Sequence, residues 1–91
     1  MSVPESPRWF GSDERDQAVY RSVAKTFSAE SIMLAPEEVA AMAMGLRLLG
    51  HARQSGDVGG IDSYSEMIRG QAAEVGLSKA GIMRLLRREV N

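Results

Sequence analysis

Cysteine is absent from this sequence, and aromatic residues make up only 5% of it. Without cysteine, neither a disulfide nor a thiolate-bound metal ion can support the fold. An excess of charge of one sign is also missing, because eleven Lys and Arg face twelve Asp and Glu, for a formal net charge of -1. This balance excludes a uniformly basic coat for nucleic acid and a long acidic tail.

Long apolar runs are missing as well. The most apolar stretch, residues 39–49, has about half the length of the ~20-residue helix that a bilayer requires. The N-terminus has two prolines among its first seven residues and no basic segment followed by an apolar run, so no signal peptide is expected. We therefore predict a cytoplasmic protein that has no membrane partner.

The residue patterns of catalysis and metal binding are not found either. His51 is the only histidine, and no set of ligands surrounds it at metal-binding spacing. The glycine-rich segment 56–60 lacks the Lys and Ser or Thr that follow a phosphate-binding loop. No nucleophile stands in the context of a catalytic motif. We predict no enzymatic activity, no cofactor, no metal ion and no small-molecule substrate.

The chain itself has the size and composition of one small folded domain, with 91 residues of which 44% are apolar. A domain of this length buries roughly 60–65% of the surface of its unfolded chain, so its own core is thin. Small domains often gain stability from oligomerisation. We therefore predict a homodimer.

Apolar residues recur at helical spacing, and no segment alternates as a strand does. The predicted fold is all-α: a compact bundle of about four helices that follows an irregular arm over residues 1–11. The first helix is predicted to start at Ser12 or Asp13. The second is predicted to start at Pro36, a residue suited to the first helical position, and to end just before Gly56.

Residues 56–60 are predicted to form a flexible loop. This loop would divide the chain into core and dimerisation helices, residues 12–55, and a C-terminal unit, residues 61–91. Ser63 and Glu66 have the spacing of a capping box, so the third helix is predicted to open at Ser63.

The second predicted helix is apolar on more than one side, which is typical of a helix that lies in a core or is shared with a second subunit. Two aromatic side chains at the end of the arm either cap the core or anchor a partner. The predicted dimer or partner interface comprises Val39, Met42, Met44, Leu46, Leu48, Leu49, Trp9 and Phe10.

A helix-turn-helix pattern occupies residues 68–86. Ala72 supplies the small residue that lets two helices cross closely, and Gly76 suits the turn four residues later. The other positions that follow the pattern are Val75, Leu77, Ser78, Ile82 and Leu85. The stretch resembles the helix-turn-helix of bacterial and phage DNA-binding regulators, and it departs from their pattern at Gln71 and Gly81.

The resemblance implies a sequence-specific DNA-binding transcriptional regulator. In that family the second helix of the motif enters the major groove, and two copies one helical turn apart read a near-palindrome. On this chain, Lys79 and Arg84 would contact base edges, and the whole set facing double-stranded DNA would be Ser78, Lys79, Ala80, Met83, Arg84, Arg87, Arg88 and Arg69. The formal charge agrees with this, being +3 over residues 68–91 and -4 over the other 67 residues.

Two other functions fit the same sequence. A Gly–Leu–Ser connection is also what any helical hairpin needs. The near-neutral charge and the departures at Gln71 and Gly81 favour a small inhibitor or antiactivator that binds a protein and ignores DNA. A subunit of a phage assembly is the third alternative.

Overall fold

The computed structural model describes residues 5–11 and 13–88, and for Arg88 the backbone alone. The described residues form four helices and no strand: α1 (Glu14–Ser28), α2 (Pro36–Ser55), α3 (Val58–Glu74) and α4 (Lys79–Arg88). The prediction of an all-α fold of about four helices is confirmed. None of the helices in the described residues has the length and apolar character needed to cross a bilayer.

The first two helices begin where local capping places them. The Asp13 carboxylate accepts a hydrogen bond of 2.7 Å from the Arg15 N–H and so caps α1. Pro36 opens α2, and the Glu38 carboxylate accepts a bond of 3.0 Å from the Ala35 N–H. Both predicted starts are confirmed, while Ser12, the alternative start of α1, lies outside the described residues.

The predicted start of α3 is wrong. The helix begins at Val58, five residues before Ser63, and the Asp57 carboxylate caps it by accepting from the Gly60 N–H at 3.0 Å. A Cβ at Gly60 would lie 2.5 Å from Asp57 Oδ2 and 3.3 Å from the Ala52 Cβ, so glycine makes room both for the capping carboxylate and for close packing on the end of α2. Residues 56–60 therefore do not form a flexible loop between two units, because the last three of them belong to α3. Ser63 lies inside α3.

The same turn ends α1, α2 and α3. In each case one residue adopts a positive φ: 61° at Ser31, 71° at Gly56 and 89° at Gly76. The N–H that follows donates to a carbonyl five residues back, as in a Schellman motif. These bonds join Ile32 to Phe27, Asp57 to Ala52 and Leu77 to Ala72, at 2.9–3.0 Å. Ser31 and Gly56 therefore hold the same position in their turns that Gly76 holds in the turn of the predicted motif.

The helices contact one another in a ring, in which α1 packs on α2, α2 on α3, α3 on α4 and α4 on α1. Antiparallel packing brings Asp16 of α1 to Arg47 of α2, where the two form an ion pair of 2.8 Å. Arg53 of α2 donates from Nη1 to the Leu86 carbonyl of α4 at 2.8 Å. The largest fully buried side chains of the core include Tyr20, Phe27, Leu46, Leu49, Ile68 and Leu85.

The core of the chain itself buries part of the predicted interface. Phe10 packs on Tyr20 with ring centroids 5.5 Å apart and is buried, whereas Trp9 remains 55% exposed. Of the α2 residues in the predicted interface, Val39, Met42, Leu46 and Leu49 are buried within the chain's own core. A partner cannot reach these side chains while the fold persists. Met44 and Leu48 are exposed, so their predicted role stays a prediction.

Ser22 carries a buried polar atom that the fold does not satisfy. Its Oγ is shielded from solvent and has no hydrogen-bond partner among the described residues. Burying an unpaired hydroxyl costs free energy. We expect Ser22→Ala to raise the free energy of unfolding by about 1 kcal/mol, measured by urea denaturation. Thr26→Ala is the control: its hydroxyl donates to the Ser22 carbonyl at 2.9 Å, so its removal should not stabilise the fold.

Candidate functional site

The turn between α3 and α4 is built largely as the motif predicts. Ala72 and Leu77 are buried beneath it, and Gly76 supplies the left-handed residue. Ser78 caps α4, since its Oγ accepts from the Gly81 N–H at 3.1 Å. Val75 differs from the expectation, because its side chain is exposed and not part of the core.

Helix α4 has two faces of opposite character. Its inner face buries Leu85 and Leu86, with Ile82 half-buried beside them. The outer face spans about 140° of the helix circumference and consists of exposed residues: Lys79, Ala80, Met83, Arg84 and Arg87. These five belong to the set predicted to face DNA, and the fold leaves all of them accessible.

The other residues of the predicted set are placed differently. Arg69 is exposed on α3, the helix that contacts α4. The side chain of Arg88 lies outside the described residues. Ser78 is exposed, but its polar groups are already bound by a residue that the sequence did not single out.

That residue is Glu30, which follows α1 and stands 48 positions before Ser78 in the chain. Its carboxylate accepts from the Ser78 N–H at 2.8 Å and from the Ser78 hydroxyl at 2.5 Å. A carboxylate at a helix N-terminus is favoured by the unpaired amides and by the helix dipole. No local pattern identifies Glu30, since only the tertiary fold brings the two segments together.

Glu30 alters the electrostatics of the site. The hydrogen bond from the Ser78 hydroxyl, the bond from the Ser78 N–H and the nearby charge of Arg84 lower the pKa of the Glu30 carboxyl below its ordinary value. The carboxylate therefore stays ionised at neutral pH at the start of α4. A DNA phosphate cannot use the Ser78 N–H while Glu30 holds it.

The lowered pKa predicts a stability that depends on acid pH. A carboxyl whose pKa is lower in the folded than in the unfolded state stabilises the fold fully above the unfolded value and ceases to do so as the pH falls through the folded value. We expect Glu30→Gln to melt at lower temperature at pH 7 and to lose less stability than the original chain between pH 5 and 3. The control is Glu66→Gln, which changes an exposed carboxylate on α3 and should leave the acid profile parallel to the original. If the stability of Glu30→Gln fell with pH in parallel with that of the original chain, the stabilising role of the ionised Glu30 carboxylate would be contradicted.

The absence of a side chain at Gly81 leaves room for the Glu30 carboxylate beside Ser78. A Cβ at Gly81 would lie 2.6 Å from Glu30 Oε2 and 2.8 Å from Leu77 Cδ1, closer than packed atoms approach. Alanine is the better helix former by about 1 kcal/mol, yet overpacking a filled site costs about 1–3 kcal/mol. We expect Gly81→Ala to destabilise the fold by about 1 kcal/mol in urea denaturation. Gly70→Ala is the matched control, because nothing lies near its Cβ and the substitution should stabilise α3. Equal increases in the free energy of unfolding for Gly81→Ala and Gly70→Ala would contradict the close packing at Gly81.

The cations of α4 are not neutralised by direct contacts in the described part of the chain. Asp16 and Arg47 form the ion pair found there, between α1 and α2, and α4 itself has no acidic residue in its described sequence. The described residues also contain no group of three His, Asp or Glu that could hold a metal ion. The outer face of α4 is thus an accessible basic surface.

A second accessible surface lies on α2. Its outer face carries Ala41, Met44 and Leu48, and Met67 of α3 lies beside it. We call these four residues the α2 outer face. Comparison with protein-family models, with curated proteins and with solved structures finds no match to this chain.

Proposed function

We propose that the chain is a small sequence-specific DNA-binding transcriptional regulator of the cytoplasm that acts as a homodimer and contacts the major groove with the outer face of α4. One observation carries the proposal: every described side chain on that face is exposed, and three of the five are cations. The inner face of the same helix is packed into the core, so the basic surface is held in place by the fold.

The dimensions and chemistry of α4 suit the major groove. Ten residues of helix are about 15 Å long, and the groove is about 12 Å wide. Lys79 and Arg84 would donate to guanine acceptors, and Arg87 would hold a phosphate. Between them, Met83 and Ala80 offer apolar contacts for thymine methyl groups.

The Glu30 carboxylate refines this proposal. Because it occupies the Ser78 N–H and hydroxyl, Ser78 is not expected to contact DNA. The side chains along α4 would instead make the contacts. Glu30 would also repel phosphates near the start of the helix, which would keep non-specific affinity low.

Fluorescence anisotropy with a labelled DNA pool tests the proposal directly. The full chain would be titrated into duplexes of random sequence and into fragments of genomic DNA, at 50 and 200 mM salt. We expect binding that weakens with salt at a slope of about -0.9 per phosphate contacted, and enrichment of a defined sequence after selection. No binding to either pool at 50 mM salt would contradict it.

A second candidate function is favoured by the α2 outer face. Met44 and Leu48, one helical turn apart on α2, are 43% and 42% exposed, and Met67 of α3 is 40% exposed. Grouped apolar residues mark protein-binding surfaces. The chain would then be an inhibitor that binds one protein and ignores DNA. Stoichiometric capture of one protein, lost on Leu48→Glu, together with no DNA binding, would favour it.

A further inference from the structure

The Glu30 carboxylate is held in one position at the start of α4. Its Oε1 accepts from the Ser78 N–H at 2.8 Å, and its Oε2 accepts from the Ser78 hydroxyl at 2.5 Å. A Cβ at Gly81 would lie 2.6 Å from Oε2, so the carboxylate rests directly over that glycine. Because both oxygens are bound, the negative charge of Glu30 acts from a fixed point.

This fixed charge lies at the Arg84 edge of the outer face of α4. Ser78, Gly81 and Arg84 follow one another at three-residue spacing, which places them along one side of the helix. Gly81 lies about 60° around the helix from Arg84. The charge of Arg84 also contributes to the lowered pKa of the Glu30 carboxyl. The two side chains are therefore electrostatic neighbours, although they belong to distant segments of the chain.

Glu30 and Arg84 influence each other without being joined. No ion pair between them is found among the described residues, and the Arg84 side chain is exposed. Its guanidinium therefore remains free to bind another group. Helix α4 has no acidic residue in its own described sequence, so Glu30 brings a negative charge to a face of cations.

Two kinds of group on DNA compete for an arginine in the major groove. Phosphate oxygens attract it through their charge, whereas the O6 and N7 atoms of guanine accept two hydrogen bonds from it. A phosphate is an anion and a base edge is neutral, so a fixed carboxylate beside the arginine repels mainly the phosphate. Two unit charges about 4 Å apart in water interact with an energy that corresponds to about a fivefold change in affinity.

We infer that Glu30 is a specificity-determining residue of the DNA site: its carboxylate disfavours phosphate near the Arg84 guanidinium and leaves that guanidinium for the acceptor edge of a guanine. The inference rests on the proposed function of α4. Glu30 acts through Arg84 as a positioning residue and does not itself contact a base. It lowers the affinity for DNA of any sequence and sharpens the preference for guanine at one position, because repulsion of a competing partner contributes to specificity.

Affinity measurements with two kinds of duplex test this inference. The full chain first selects a duplex from a random pool. Fluorescence anisotropy then compares that duplex, a set in which each G·C pair is replaced in turn, and the unselected pool. Glu30→Gln is the informative variant, because it removes the charge and keeps an amide oxygen that can accept from the Ser78 N–H. Circular dichroism checks that each variant is folded at the temperature used.

Glu30→Gln should change the two affinities in opposite directions. We expect it to bind the unselected pool about fivefold more tightly at 50 mM salt, because one repulsive charge is gone. This gain should shrink at 200 mM salt, where charges are screened over a shorter distance. The same variant should lose about tenfold of its preference for one guanine. A loss of affinity by one factor for every duplex would mean that Glu30 only caps α4, and would overturn the inference.

A second variant tests whether Glu30 acts through Arg84. Arg84→Ala should abolish the preference for the same guanine, because the donor of both hydrogen bonds is removed. In that background, Glu30→Gln should change the base preference no further. An equal change in the presence and absence of Arg84 would overturn the inference, since the carboxylate would then act on the base by another route.

Glu14→Gln is the matched control for charge. It removes one negative charge from an exposed residue at the opposite end of α1 from Glu30, and we expect an unchanged base preference. Equal changes in the two variants would overturn the inference, because the effect would then follow net charge. Binding of the original chain to neither kind of duplex would contradict the proposed function. Selective binding that Glu30→Gln leaves unaltered would contradict only the role of Glu30.

Discussion

Leu85→Ala is expected to lower the free energy of unfolding by about 3 kcal/mol. Leu85 is fully buried on the inner face of α4, and its truncation removes apolar contacts and leaves a cavity. Helix α4 has only ten residues and does not persist by propensity alone, because isolated helices of that length are marginal in water. Urea denaturation at fixed protein concentration, followed by circular dichroism, measures the change.

Met83→Ala is the matched control on the same helix. Its side chain is 60% exposed, two positions before Leu85, so its truncation should change the free energy of unfolding by less than about 0.5 kcal/mol. Similar losses in the two variants would mean that α4 is not held by its inner face. The surface proposed to bind DNA would then not be a rigid one.

The triple variant Lys79→Ala, Arg84→Ala, Arg87→Ala is expected to lose at least about 100-fold in DNA affinity at 100 mM salt. Each cation is exposed on the outer face of α4, and each contact to a base edge or phosphate contributes of the order of 1 kcal/mol or more. The slope of log affinity against log salt should fall by about 1, since Arg87 is the one of the three that is proposed to hold a phosphate. Anisotropy titrations at several salt concentrations measure both quantities.

The chain offers a control with the same change in net charge. Arg15, Arg21 and Lys25 are exposed on α1, and their replacement by alanine also removes three positive charges. This variant should bind DNA with nearly the original affinity and salt slope, because it leaves the outer face of α4 intact. Equal losses in the two triple variants would show that affinity follows total charge, which would contradict a defined site on α4.

Helix boundaries were predictable where one local signal stood alone. Asp13 and Pro36 mark the starts of α1 and α2, and Gly56 and Gly76 mark the ends of α2 and α3. Each of these residues acts on backbone groups only a few positions away. The chemistry that decides such a boundary is therefore present in the sequence itself.

The start of α3 was not predictable, because two capping signals competed. Ser63 has the spacing of a capping box, whereas Asp57, the residue that caps α3, is followed by Val58 and then by two glycines that are poor helix formers. Packing decided between them: Gly60 lies against Ala52 of α2, so extending α3 back to Val58 adds contact with α2. The Asp57 cap and the contact with Ala52 outweighed the intrinsic preference of the glycines.

The sides of α2 could not be told apart for a similar reason. Met42, Met44, Leu46 and Leu48 are alike in their apolar character, and periodicity does not say which of them faces the core of this chain. Only the positions of α1, α3 and α4 around α2 bury Met42 and Leu46 and leave Met44 and Leu48 in solvent. The apolar side chains that α2 leaves exposed are thus a consequence of the tertiary structure.

The sequence by itself determined that the fold is helical, the starts of α1 and α2, and the basic outer side of α4, since each depends on residues within a few turns of one another. The tertiary structure alone decided the start of α3, the side of α2 left exposed, and the Glu30 carboxylate on Ser78. The physical reason is distance along the chain: Glu30 and Ser78 lie 48 positions apart. Contacts of that kind arise only when the packing of the whole core brings distant segments together.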